Sequence, residues 1–237
     1  MPNVAPLSNV DHKDLRVIAE RSAKYGDSRL AFVPTFPTEF RNLQAHYPIV
    51  FRKSSDGTTF ESVVLLGFEN GENLFLKSDG WDATYVPLMI ERQPFLIGRN
   101  GNELTMHIDL DNPRVSTTEG EPLFLPYGGT TPFLERMDAV LSAIHQGMEI
   151  APVFISALLE YDLLESFVFD IELNDGSKNR LSGFYTINEP KLAELDGAAL
   201  ENLNKLGYLQ PLYMVVASLS NFRDLVERKN RLHALDR

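Results

Sequence analysis

The pattern of hydrophobic and polar positions divides the chain into a first half of short strands and a second half of helices. In the first half, short apolar runs alternate with turn sequences such as Asp56-Gly57 and Asn100-Gly101. Such turns join antiparallel neighbours. The predicted strands cover 30–33, 48–53, 59–68, 73–77, 95–99 and 103–110, with a loose arm over 1–12 and short helices over 14–25 and 38–45.

In the second half of the chain, apolar residues recur with the period of α-helices. Apolar residues recur at helical spacing between Phe133 and Met148, and Thr131 is a suitable N-cap. Pro152 favours the first turn of a separate helix over 151–161, because its missing N–H is not needed there. Further helices are predicted over 190–195 and 197–206, with Asn188 and Asp196 as their caps, and over 221–235.

One β-hairpin interrupts these helices at 166–187. Phe167, Phe169 and Ile171 alternate with more polar residues, which is typical of a half-buried strand. The sequence Asn174-Asp-Gly-Ser forms the predicted turn, and residues 180–187 form the second strand of the hairpin.

Together these elements predict an α+β fold. A mainly antiparallel β first half packs with a helical second half that contains the hairpin. We expect residues 1–237 to form a single domain in two lobes, the first β-rich at about 27–112 and the second mainly helical at about 130–237.

Composition narrows the classes of function. The chain has 22 basic and 33 acidic residues, hence a net charge of −11, which argues against nucleic-acid binding and against adhesion to an anionic membrane. It has no cysteine, so thiolate catalysis and cysteine-based metal sites are excluded. Because neither a signal peptide nor a membrane-spanning run is visible, we expect a cytoplasmic protein without a membrane span, and we expect no cofactor.

A predicted loop around the only tryptophan is the first candidate site. Trp81, Asp82 and Tyr85 combine aromatic and acidic groups there, and Arg92 follows a few residues later. Loops of this composition often bind ligands or protein partners. The alternative is a tryptophan that simply packs in the core.

His107-Ile-Asp109 is the candidate metal site. On a strand, residues two apart share a face, so both side chains point the same way. With a distal His145 or His233 they would form the facial triad of non-haem iron oxygenases. The alternative is a polar strand face near a turn.

Several runs of the chain resemble a known family. They are 169–177, 181–187, 192–199, 207–211 and 227–230, together with Tyr47-Pro48 and Pro94-Phe95. The family is the bacterial one usually called SapC-like. The resemblance implies an association with surface-layer genes and with neighbours similar to tryptophan halogenases, cupins and outer-membrane receptors. It implies no set of catalytic residues.

The function that we expect is that of a non-enzymatic binding or accessory protein, acting with a modifying enzyme or in envelope-related assembly. One alternative is an iron- and 2-oxoglutarate-type oxygenase that uses His107 and Asp109. A second alternative is a structural component of a surface layer. Basic residues on the last predicted helix, among them Arg228 and Lys229, suggest docking to an acidic partner or to another copy of the chain.

Overall fold

The computed structural model describes residues 3–101 and 103–235 and has an α+β fold, as predicted. Its strands are β1 (Val4–Pro6), β2 (Arg16–Val17), β3 (Phe32–Pro34), β4 (Ile49–Lys53), β5 (Phe60–Leu65), β6 (Leu76–Lys77), β7 (Gly80–Trp81), β8 (Phe95–Asn100), β9 (Glu103–Asp109), β10 (Val115–Ser116), β11 (Glu121–Pro122), β12 (Leu164–Glu172) and β13 (Lys178–Ile187). Its α-helices are α1 (Phe40–Leu43), α2 (Leu88–Glu91), α3 (Pro132–Glu160), α4 (Glu189–Ala193), α5 (Gly197–Lys205), α6 (Leu209–Ser218) and α7 (Phe222–Leu235).

The chain forms two compact units, and each draws on three separate stretches. Unit 1 comprises Met1–Asp27, Leu76–Trp81 and Leu88–Gln146, and unit 2 comprises Ser28–Phe75, Asp82–Pro87 and Gly147–Arg237. These bounds differ from those of the predicted lobes. The single domain that we expected stays a prediction.

Unit 1 is built on two small antiparallel sheets and a two-stranded ribbon. The hairpin predicted across Asn100-Gly101 is confirmed as β8 and β9, and β1 adds to it in the order β1-β9-β8. A second sheet has the order β10-β2-β11, and the ribbon is β6-β7.

Unit 2 is built on one five-stranded sheet of order β12-β13-β4-β5-β3. The predicted 166–187 hairpin is confirmed as β12 and β13. Its register shifts between Phe167 and Phe169, because the partner strand carries one extra residue beside Gly183. Gly183 has φ +84°, the left-handed conformation that a glycine supplies at a bulge. Phe169 packs on Phe222 with ring centroids 4.6 Å apart.

The two helices predicted over 131–148 and 151–161 are one continuous helix, α3. Pro152 lies inside it, although proline usually kinks a helix interior or begins a helix. The hydroxyl of Ser156 donates to the carbonyl of Pro152 at 2.9 Å. Gly147, which lies near the predicted end, instead allows close packing on Phe36. The prediction of a break was therefore wrong.

Three predictions in the first half were also wrong. The segment predicted as a helix over 14–25 contains β2, because Val17 is buried and its backbone pairs with two distant strands. The arm over 1–12 is not loose in its described part, since β1 pairs with β9. The strand predicted over 73–77 is reduced to β6, because the Asn73 side chain accepts a bond from the N–H of Phe75 and favours a turn.

The predicted helix caps in the second half are confirmed. The side chain of Asn188 accepts from the N–H of Lys191 at 3.0 Å, and that of Asp196 accepts from the N–H of Ala199 at 2.8 Å. Both bonds satisfy N–H groups that the first turn of a helix leaves unpaired.

Among the described residues, α3 is the one helix that is long and apolar enough, by length and composition, to cross a membrane. About a third of its most apolar window is buried (33%). The core helix of a soluble protein can have the same length and composition, so these two properties do not assign α3 to a membrane. The absence of a membrane span stays a prediction.

Candidate functional site

Asp82 and Tyr85 belong to unit 2, where their side chains make contacts within the fold. The carboxylate of Asp82 forms an ion pair of 2.5 Å with Arg228, and its carbonyl accepts a second bond from the same guanidinium. That guanidinium also lies 4.2 Å from the ring centroid of Phe75. The predicted ligand residue Asp82 therefore fixes helix α7 in place.

Tyr85 contributes to a buried polar network. Its hydroxyl donates to Glu39 at 3.1 Å, and the hydroxyl of Thr35 donates to the other oxygen of Glu39 at 2.7 Å. The carbonyl of Tyr85 accepts a bond from Tyr47. Glu39 and Thr35 are each 2% exposed. Because Glu39 serves this network, it precedes α1 without capping it.

Trp81 and Arg92 belong to unit 1, so the four predicted ligand residues are divided between the units. Trp81 is half-buried and pairs with Leu76 in the β6-β7 ribbon. Arg92 donates to the carbonyl of Phe95 at 2.7 Å, and burial lowers the pKa of its guanidinium. Whether these residues bind a partner stays a prediction.

His107 and Asp109 share one face of β9, as predicted. The imidazole Nδ1 of His107 lies 3.2 Å from the carbonyl oxygen of Thr105. The ring covers Gly98 so closely that a Cβ atom there would come within 2.2 Å of it.

The third ligand expected for a metal triad is not assembled around this pair. His145 lines a cavity of about 100 Å³ with Ile97 and Met106, which pair with each other across the hairpin. Met106 is the neighbour of His107 along β9, so their side chains point to opposite faces of the strand. His233 lies in unit 2, 3.6 Å from Asp175. Within 3–101 and 103–235, no three His, Asp or Glu side chains are grouped to hold a metal ion.

Arg228 and Lys229 of α7 form ion pairs within unit 2. Lys229, whose side chain is 4% exposed, donates to Glu69 at 2.9 Å and to Glu72. Burial opposes its charge, but the bonds to Glu72 and Glu69 outweigh burial and raise the pKa of the ammonium. Arg228 bonds Asp224 as well as Asp82. Both residues thus stabilise the fold rather than offering free surface charge.

A cleft that sequence reasoning missed lies elsewhere in unit 2. Its volume is about 280 Å³, and helices α1, α3 and α6 and the α5–α6 turn form its walls. We call it the Arg41 cleft. Its apolar lining includes Pro37, Ile150, Leu206 and Met214.

Local sequence explains why the cleft forms where it does. Gly207 has φ +75°, a left-handed conformation that ends α5 and turns the chain into α6. Tyr208 then packs edge-on against Phe154 of α3, with ring centroids 5.5 Å apart. This contact holds the start of α6 beside α3.

Arg41 is the one charged side chain among the ten residues that line the cleft. It is exposed, and it makes no hydrogen bond or ion pair with any other described residue. An unneutralised guanidinium beside an apolar wall attracts an anionic group that is attached to an apolar one.

Exposed apolar side chains extend the surface around the cleft. Leu206 is 50% exposed, Tyr213 is 51% exposed, and Val153, one turn after Ile150 on α3, is 57% exposed. Tyr213 and Val153 lie within one helical turn of the lining residues Met214 and Ile150, and exposed apolar patches beside a cleft mark interaction sites.

The sequence did contain one signal for this cleft. The run 207–211, one of those on which the family resemblance rests, supplies Gly207, Tyr208, Gln210 and Pro211 to the lining. Arg41 and Ile150 carried no such signal, because they reach the cleft only through tertiary packing.

Comparisons with known proteins identify a family but no named relative. A family model described as SapC matches residues 7–225. No curated protein and no solved structure matches the chain.

Proposed function

Because the chain belongs to the SapC family, we propose that it is a non-enzymatic binding protein that acts as an accessory to another protein. The partner that the family resemblance favours is a modifying enzyme or a component of envelope assembly. The Arg41 cleft is the proposed binding site.

The observation that carries this proposal is the composition of the cleft. Its polar side chains are Thr38, Arg41, Tyr208 and Gln210. None of these is an effective general base near neutral pH, whereas proton transfer needs a group whose pKa lies close to the working pH. An apolar wall with a few polar groups and one cation is suited to binding rather than to turnover.

The size of the native assembly in a cell extract tests the proposal. We expect the protein in extract to migrate above the size that the same protein shows when purified alone. Met214→Glu should return it to the purified size, because the new carboxylate either buries a charge against the apolar wall or pairs with Arg41 in place of the partner.

Val168→Glu is the matched control, since Val168 is 57% exposed on the hairpin of the same unit. That variant should keep the larger size. Circular dichroism on both purified variants establishes that they are folded. If the wild-type protein has the same size in extract and in purified form, or if both variants keep the larger assembly, the proposal is wrong.

A further inference from the structure

We infer that the occupant of the Arg41 cleft is an amphipathic helix of a partner protein, with an acidic residue placed beside its apolar anchors. This inference rests on the proposed function and specifies the partner. It follows from the shape of the apolar surface, from the size of the cleft and from the position of its one charge.

The surface around the cleft has helical rows on both sides. On α6, the outward residues Gln210, Tyr213, Met214 and Ala217 follow the spacing of one helix face. Ile150 and Val153 provide a similar row on α3. Grooves between such rows bind apolar residues spaced at i, i+3 or i+4 and i+7 on a partner helix.

The size of the cleft favours side chains over a whole small ligand. Its volume of about 280 Å³ is at the lower limit for sites that enclose a drug-sized molecule, which occupy roughly 300–1,000 Å³. A cleft of this volume suits one or two large apolar side chains of a longer segment. The exposed Tyr213 and Val153 then contact the residues on either side of these anchors.

The charge of Arg41 sets the polarity of the partner. An aspartate or glutamate on the partner helix, next to the apolar anchors, would neutralise a guanidinium that no described residue neutralises. The chain as a whole carries −11, which repels a partner that is acidic throughout. The expected segment is therefore locally acidic at one end and neutral or basic elsewhere.

Site-specific photo-cross-linking identifies the occupant. The photoreactive residue p-benzoylphenylalanine replaces Tyr213, an exposed aromatic position where the change is small, in cells that make the protein natively. Irradiation and mass spectrometry then identify the adduct. The same residue in place of Val168 is the control for non-specific contact.

We expect an adduct from position 213, in clear excess over position 168, to a protein segment with apolar residues at i, i+3 or i+4 and i+7 and a neighbouring carboxylate. Arg41→Glu should lower its yield about threefold, the range of an exposed ion pair. Changing the partner's carboxylate to lysine should restore the yield with Arg41→Glu.

Other adducts overturn the inference. A lipid, a small molecule, a second copy of this chain or a segment without the helical spacing would each do so, as would equal yields at positions 213 and 168. If the assembly in extract is still lost with Met214→Glu in such a case, the proposed function stands and only the nature of the occupant is wrong.

Discussion

Gly147 lies directly against the ring of Phe36. A Cβ atom on Gly147 would come within 2.0 Å of the ring Cδ2, far inside the contact distance of two carbon atoms. Phe36 is 1% exposed, so a shift of its ring would disturb packed neighbours. A glycine that is typical of a helix end in the sequence thus lies inside α3, where it allows the helix to pack closely on Phe36.

Gly147→Ala should therefore destabilise the protein. Alanine is about 1 kcal/mol better than glycine inside a helix, but the overpacking of a filled core costs about 1–3 kcal/mol. Because the 2.0 Å approach places the overpacking cost toward the upper end of that range, we expect a net loss of up to about 2 kcal/mol in the free energy of unfolding, measured by chemical denaturation. Gly197→Ala is the control, since a Cβ there has no atom within 4 Å and should leave stability unchanged or slightly raised. Greater stability of Gly147→Ala would contradict the packing argument.

His107 and Gly98 form a second close pair, and it tests what His107 does. Gly98→Ala should lower stability by about 1–3 kcal/mol because the new methyl group meets the imidazole. In a His107→Ala background the same substitution should cost much less, since the ring is gone. A double-mutant cycle in urea measures this coupling.

The same proteins also test the hypothesis that His107 binds a metal ion. The wild-type protein is purified without chelator and its iron content is measured. Equimolar iron that is lost in His107→Ala would show that the residue is a metal ligand as well as a packing group. Additive effects of the two substitutions would contradict the packing role.

Lys229 should be one of the most sensitive charged residues of unit 2. Lys229→Met leaves the largely buried carboxylate of Glu72, whose side chain is 12% exposed, without its cation, and breaking such a pair costs about 3–5 kcal/mol. Lys205→Met is the control, because Lys205 and Glu201 are both exposed and their pair contributes little. Restoration of stability by the double variant Lys229→Met with Glu72→Leu would support the pairing, and equal effects of the two lysine variants would refute it.

The raised pKa of Lys229 also sets a pH dependence. A group whose pKa is higher in the folded state contributes its full stability below the unfolded value, about 10.4, and loses it as the pH rises through the folded value. Denaturation midpoints of the wild-type protein should thus exceed those of Lys229→Met by a constant amount between pH 7 and 9. The difference should shrink above about pH 10.4, and a difference that shrinks below pH 8 would contradict the assignment.

Asp56 gives a prediction at the acidic end of the pH scale. The hydroxyl of Ser54 donates to its carboxylate at 2.6 Å and the N–H of Thr58 at 3.0 Å, and these bonds lower the pKa of Asp56 to about 2. Its contribution to stability is present above the unfolded value of about 3.9 and is lost as the pH falls toward 2. NMR titration of the carboxyl carbon should show the low pKa, and Ser54→Ala should move it upward. An unchanged pKa in that variant would refute the role of the hydroxyl.

Sequence patterns predicted the elements that depend on neighbours along the chain. Asn188 and Asp196 cap their helices because each cap bonds an N–H three residues away. The two hairpins form where a turn sequence separates two runs of predicted strand residues. These interactions are local, so a single sequence is enough to infer them.

The predictions that were wrong concern elements that depend on residues distant in the sequence. Arg16 and Val17 become a strand only because residues 115–116 and 121–122 pair with them. The predicted ligand residue Asp82 pairs with Arg228 from the far end of the chain. The Arg41 cleft combines α1, α3 and α6, and no local pattern brings these helices together.

The order of strands in unit 2 has a consequence for synthesis of the chain. Phe51 in β4 pairs with Tyr185 in β13, which a ribosome adds on the order of ten seconds later. During that interval β4 can pair with β5 but has an apolar, unpaired edge on its other side, a template for unwanted association. A chaperone that binds nascent apolar strands would therefore be expected to contact residues 49–53 and to leave once the 166–187 hairpin has emerged.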